Sequence, residues 1–88
     1  MQTMRIHGAL VREQGVDFAI VVVKPHVLSN SSQAGDSISA FESFFGVPVV
    51  LMAQNTRGVP TYCGRDDIVR FLSHVPLAAI PWKEYWIS

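Results

Sequence analysis

The stretch Phe18-Ala-Ile-Val-Val-Val-Lys24 decides the fold that this sequence predicts. Its first six residues carry no charge and four of them are β-branched, which favours a strand over a helix. Apolar and polar residues do not alternate here, so both faces of the strand are expected to be covered. The run is too short to cross a bilayer. We therefore predict a central strand, the second of the chain, that ends before Pro25.

The segments around this strand predict a hairpin before it and a helix after it. Residues 5–13 alternate loosely and carry more charge, so they predict a first strand at an edge of the sheet, and Gly15 suits a tight hairpin turn. Asn30 and Gln33 have the spacing of a capping box, with Ser31 or Ser32 as alternative caps. The helix follows from apolar residues at helical spacing and from a closing glycine: Ala34, Ile38, Phe41, Phe45 and Gly46.

A second uninterrupted apolar run, residues 49–53, predicts a third and interior strand. A strand, a helix and another buried strand form a right-handed crossover, so the second and third strands should be parallel neighbours. Residues 54–58 have turn chemistry, and residues 59–63 predict a short antiparallel fourth strand with Pro60 at its start. A second helix follows, with Asp66 and Asp67 in its first turn, where carboxylates are favoured.

These elements predict one α+β domain over residues 1–88, in the order ββαββα. The predicted sheet has four strands in the order 1-2-3-4, is mixed, and carries both helices on one face. That arrangement leaves one face of the two apolar strands uncovered. Residues 77–88 form an aromatic tail that either folds over this face or shares it with a second subunit, and we favour a dimer with the tail contributing. The candidate interface residues are Trp82, Tyr85 and Trp86.

Composition supports self-association and argues against two other classes of partner. The chain is 49% hydrophobic and 16% charged, against about 25% charged residues in an average domain, so apolar surface should remain outside its small core. Seven basic and seven acidic residues cancel without forming runs, which argues against nucleic acid and against a membrane surface. A single cysteine and the lack of a signal-peptide pattern favour the cytoplasm.

A candidate ligand site lies where the parallel strands end, because open sheets bind ligands outside the carboxyl ends of such strands. The alternative is a solvated cluster of loop residues without a ligand. The three histidines lack the spacing of a metal site, and no cofactor motif is present, so neither a metal nor a cofactor is expected. The candidate residues for a small-molecule ligand are His7, Lys24, His26, Gln54, Asn55 and Arg57.

Catalysis is the weaker interpretation of the same residues. Cys63 precedes a helix whose N–H groups would favour a thiolate, with Arg65 nearby, but the chain has no second cysteine to resolve a disulfide. We assign no catalytic residue and predict a non-catalytic interaction or ligand-binding module that acts as a homodimer. The alternative is a small enzyme or a thiol-active protein that uses His26 or Cys63 at the rim of the sheet.

Two resemblances follow from longer stretches. Gly58-Val-Pro-Thr61, followed by a short strand and a helix, resembles the back half of thioredoxin-like proteins, in which this proline is cis and borders a redox site. Here a strand rather than a helix precedes the proline and the Cys-x-x-Cys motif is missing, so the redox function is not carried over. Residues 18–26 and 58–72 are also similar to short uncharacterised bacterial proteins, which implies a free-standing domain.

Overall fold

The two apolar runs of the sequence form neighbouring parallel strands inside one sheet. A computed structural model describes residues 4–13 and 15–87 of the chain. Its strands are β1 (Met4–Glu13), β2 (Val16–Val22), β3 (Val49–Gln54), β4 (Pro60–Cys63) and β5 (Lys83–Ile87). Its α-helices are α1 (Pro25–Leu28), α2 (Ser31–Phe45) and α3 (Asp66–Leu72), and a 3₁₀ turn covers Leu77–Ala79.

The sheet has five strands in the order β4-β3-β2-β1-β5, so the predicted four-stranded sheet was wrong. The first four strands are neighbours as predicted, and β2 and β3 run parallel. The added strand is β5, which pairs antiparallel with β1 and makes β1 an interior strand instead of the predicted edge. In the C-terminal segment Tyr85 and Ile87 are half-buried and Trp86 between them is exposed, which is the alternation of a strand with one covered face.

The helices cover opposite faces of the sheet, which corrects the prediction that both lie on one face. Phe18 and Ile20 of β2 belong to a buried cluster that includes Ile68 and Leu72 of α3. The alternate residues of β2, Ala19 and Val21, belong to a second cluster, which includes Ala34 of α2. Both faces of β2 are therefore buried, as the uninterrupted apolar run predicts, and the chain covers them by itself. The handedness rule fixes the position of a crossover helix between parallel strands, but α3 follows an antiparallel strand and is not constrained by it.

The termini of α2 form as predicted. The Asn30 side-chain oxygen accepts a hydrogen bond from the Gln33 backbone N–H at 3.0 Å. Gly46 closes the helix with φ 73°, and its N–H donates to the Glu42 carbonyl oxygen at 2.8 Å. The Glu42 carboxylate in turn accepts from the Val49 N–H at 3.1 Å, which ties the end of α2 to the start of β3. The segment between β2 and α2 contains the one-turn helix α1.

Candidate ligand-binding rim

The rim is the end of the sheet where β2 and β3 terminate and where β1 begins. Lys24 and His26 follow β2 directly, and Gln54 is the last residue of β3. His7 reaches the same end from β1, because antiparallel pairing places the start of β1 beside the end of β2. Arg57 lies in the turn between β3 and β4. The antiparallel pairing of β1 with β2 is what brings His7 to the same end of the sheet as Lys24 and His26.

One hollow at the rim joins three of the predicted residues and one that the sequence analysis missed. The hollow has a volume of about 540 Å³ and is open to solvent. Arg5 was missed although it shares a face of β1 with His7 two residues later, a period-two signal that was visible in the sequence. The basic residues around the hollow are Arg5, His7, Lys24 and His26. The apolar ones are Met4, Ile6, Val22, Val23, Val27 and Phe41.

The ionisable side chains that line this rim hollow are all basic. No carboxylate lies among the residues that line it, in the part of the chain the structure describes. Glu84 lies beside it on β5, with a carboxylate oxygen 3.7 Å from Nη1 of Arg5 and the other 3.4 Å from Nε2 of His7. Over residues 4–13 and 15–87, neither Lys24 nor His26 has an ion pair or a side-chain hydrogen bond. Their charge and hydrogen-bonding capacity face solvent.

Asn55 and Arg57 lie in the turn between β3 and β4, and Gln54 is the last residue of β3. None of the three lines the rim hollow. The Asn55 side-chain oxygen accepts from the N–H groups of Arg57 and Val59 at 2.8 and 3.0 Å, so it holds the turn. Gln54 donates to the Gly58 carbonyl oxygen at 2.9 Å and lines a second hollow, of about 460 Å³, together with His7. Asn55 lines a third hollow, of about 280 Å³, and Arg57 borders none of the three.

The three candidate interface residues have different environments. The Trp82 indole N–H donates to the Leu77 carbonyl oxygen at 2.9 Å, and its ring packs against the cluster under α3. Tyr85 packs edge-on against Phe45 of α2, with ring centroids 5.1 Å apart. Trp86 is 62% exposed. The Arg5 guanidinium carbon lies 5.8 Å from the centroid of the Trp86 ring. Of the three aromatic residues, only Trp86 presents most of its surface to solvent.

Cys63 lies in a different place from His26. It lines a groove of about 410 Å³ between α2 and the region around β4, together with Ile38, Glu42 and Arg65, and His26 is not among the lining residues. Since β4 runs antiparallel to β3, Cys63 lies at the end of β4 that points away from the rim. The structure thus places the two residues of the catalytic alternative in separate cavities.

The shifted pKa values of the described residues lie away from the rim hollow. Hydrogen bonds from Arg65, at 2.9 and 2.7 Å, lower the pKa of Asp67 to about 2, and a similar bond from Arg12 lowers the pKa of Asp17. Burial raises the pKa of Tyr62, whose hydroxyl is buried and has no hydrogen-bond partner among the described residues. Shifted pKa values often mark catalytic groups. Here, however, the shifts of Asp67 and Asp17 are explained by ion pairs and that of Tyr62 by the packing of its ring.

Replacing Arg65 by glutamine should raise the pKa of Asp67 from about 2 towards its usual value of 3.8. The guanidinium stabilises the ionised carboxylate, so its removal makes protonation easier. In the wild-type chain the contribution of this pair to stability is fully present at a pH above 3.8, the usual pKa of the aspartate. It is lost as the pH falls through the lowered pKa of about 2. The titration of the Asp67 carboxyl carbon, followed by NMR, measures the shift. An unchanged pKa would show that the pair does not form in solution.

Comparison with protein-family models, with curated proteins and with solved structures gives no significant match. Among the described residues no cluster of three or more His, Cys, Asp or Glu side chains is arranged to hold a metal ion. No helix of the described chain has the length and apolar character needed to span a membrane. The peptide bonds of the described residues, including the one before Pro60, are all trans, unlike the corresponding bond of thioredoxin-like proteins.

Proposed function

We propose that this protein is a small non-catalytic ligand-binding module that acts as a homodimer in the cytoplasm, and that the rim hollow is its ligand site. The observation that carries the proposal is the gathering of Arg5, His7, Lys24 and His26 around one hollow. Because the chain as a whole is neutral, this local excess of basic side chains is not a consequence of composition. A lining of apolar residues with a few polar groups is also the usual composition of a small-molecule site.

A fragment screen followed by NMR tests the ligand-binding half of this proposal. We expect fragments that bind to shift the backbone amide signals of Ile6, Lys24 and His26 in a ¹⁵N-labelled sample. Mapping on the amides separates the rim hollow from the groove beside Cys63, which contains none of these three residues. A screen whose binders all map to that groove, or that yields no binder, would overturn the proposal.

The dimer half of the proposal is supported by apolar side chains exposed along β1 and β5. Met4 in β1 is 51% exposed and Trp86 in β5 is 62% exposed. The strand β5 pairs with β1 on one side only, so within the described chain its other edge has no partner strand. Open edges of this kind favour pairing with another chain. Since α2 and α3 already cover both faces of β2, the dimer contact is expected at this edge and not on a sheet face.

Replacing Trp86 by glutamate should convert the dimer into a monomer of 9.7 kDa, because it places a charge in the apolar part of the contact. Light scattering at the concentration of an NMR sample measures the mass. The matched control is Val59→Glu, at a residue that is 53% exposed and lies before β4 at the opposite edge of the sheet. It should leave the dimer intact. A monomeric wild-type protein, or equal dissociation in both variants, would contradict the proposed interface.

A further inference from the structure

We propose that the ligand of the rim hollow is a small organic anion, with a carboxylate or phosphate group bound by the basic residues and an apolar body against the apolar residues of the lining. The inference rests on the proposed ligand-binding function and adds the chemical class of the ligand. It follows from two properties of the hollow: the sign of its charges and the apolar character of the rest of its lining.

The charges select an anion. Arg5 and Lys24 are cationic side chains and His26 offers a further nitrogen donor, whereas Nε2 of His7 lies 3.4 Å from a Glu84 carboxylate oxygen. Arg5 forms an ion pair with Glu84 at 3.7 Å, which is longer than a hydrogen bond, so its guanidinium has no hydrogen-bond partner among the described residues although Glu84 balances part of its charge. Lys24 has no ion-pair partner among the described residues. An anionic group would receive charge-assisted hydrogen bonds here, which are stronger than neutral ones.

The apolar wall selects a ligand with a carbon body. Ile6, Val23, Val27 and Phe41 border the hollow from the side of α2 and belong to, or pack against, the buried cluster under that helix. An inorganic anion would leave this wall in contact with water. An anion that also carries a ring or a short aliphatic chain would remove apolar surface from water and so bind more tightly. A volume of about 540 Å³ is within the range of sites for small molecules.

Four probes separate these two properties. Benzoate and phenyl phosphate carry both an anion and a ring, benzyl alcohol carries the ring without the charge, and inorganic phosphate carries the charge without the ring. We would titrate each into ¹⁵N-labelled protein at constant ionic strength and follow the amides of Ile6, Lys24 and His26. Benzoate, phenyl phosphate or both should bind at least roughly tenfold more tightly than benzyl alcohol, the size of one charge-assisted hydrogen bond. Phenyl phosphate should also bind more tightly than inorganic phosphate.

A charge-matched pair of variants tests whether the binding depends on position. Lys24→Gln removes one positive charge from the hollow, and Arg70→Gln removes one from α3, none of whose residues lines the hollow. Lys24→Gln should weaken the aromatic anions roughly tenfold and leave benzyl alcohol unchanged. Arg70→Gln should change neither. His26→Gln is a second variant in the hollow, at a residue that is also exposed. The amide spectra of all three variants report whether the fold is intact.

The possible failures of the two proposals can be told apart. Equal affinity for benzoate and benzyl alcohol, or equal weakening by Lys24→Gln and Arg70→Gln, would overturn the anion class and leave the hollow as a ligand site. Equal affinity for phenyl phosphate and inorganic phosphate would overturn the apolar body. If the fragment screen finds binders in the hollow but no anionic probe binds there, the ligand class is wrong. If neither the fragments nor the probes shift the amide signals of the hollow, both the ligand class and the proposed ligand-binding function are wrong.

Discussion

Replacing Leu51 by alanine should lower the free energy of unfolding by about 2–5 kcal/mol. Leu51 is 0% exposed and lies in β3, in the buried cluster under α2. Its loss removes apolar burial and leaves a cavity that neighbouring strands on both sides prevent from closing, because Leu51 pairs with Val21 and with Cys63. A domain of 88 residues has a total stability of about 4–13 kcal/mol, so this change could unfold much of the protein.

Leu10→Ala provides the matched control for Leu51→Ala. Leu10 is 49% exposed in β1, and the same change of side chain should alter stability by no more than about 0.5 kcal/mol. Urea denaturation of the two variants and of the wild-type protein, with equal slopes, measures the difference. Equal losses of unfolding free energy in Leu51→Ala and Leu10→Ala would mean that β3 is not buried on the side of α2. If the wild-type protein is a dimer, all three unfolding curves must be recorded at one protein concentration, because association adds to apparent stability.

The interior of the sheet could be predicted from the sequence because burial on both faces suppresses the alternation of polar and apolar residues. The runs beginning at Phe18 and Val49 show this directly, and the helical connection between them suits parallel pairing. The caps of α2 were equally predictable, since Asn30 and Gly46 act on backbone groups a few residues away. In each case the deciding interaction is local, or follows from a rule about chain handedness.

The face of the sheet on which α3 packs and the pairing of β5 with β1 could not be predicted from local sequence patterns. The apolar stripe of α3 shows that it packs on something, but either face of the sheet offers an apolar surface. Residues 83–87 mix Lys83 and Glu84 with aromatic residues, and this composition led to the prediction of an aromatic tail instead of a strand. Its partner, β1, is more than 70 positions earlier in the chain, a distance at which the sequence pattern carries no information about pairing.

The placement of three candidate residues at one end of the sheet followed from the sequence. Lys24 and His26 follow a strand end, so topology alone brings them to the rim with His7. Asn55 was assigned to the ligand site although its side chain is used by its own turn. Asparagine both binds ligands and closes turns, and only the backbone geometry of the hairpin decides between these roles.

Replacing Gly8 by alanine should lower the free energy of unfolding by about 1–3 kcal/mol. Gly8 is buried in β1, where it pairs with Val21 on one side and with Lys83 of β5 on the other. A Cβ atom at this position would lie 2.5 Å from the Ile20 carbonyl oxygen and 3.7 Å from the Val21 Cα. These are backbone atoms of β2, which a rotamer change cannot move, so β1 and β2 would have to separate. Since β1 lies between β2 and β5, the shift should weaken the pairing of β5 as well.

Gly35→Ala is the control for Gly8→Ala, and it should change stability in the opposite direction. Gly35 lies inside α2, and a Cβ atom there would meet nothing within 4 Å. Alanine should therefore raise the free energy of unfolding by up to about 1 kcal/mol through its higher helix propensity. Urea denaturation gives both values, and hydrogen exchange at the β5 amides tests the loss of edge pairing in Gly8→Ala. If Gly8→Ala proved as stable as the wild-type protein, with unchanged protection of β5, the close approach of β1 to β2 would be wrong.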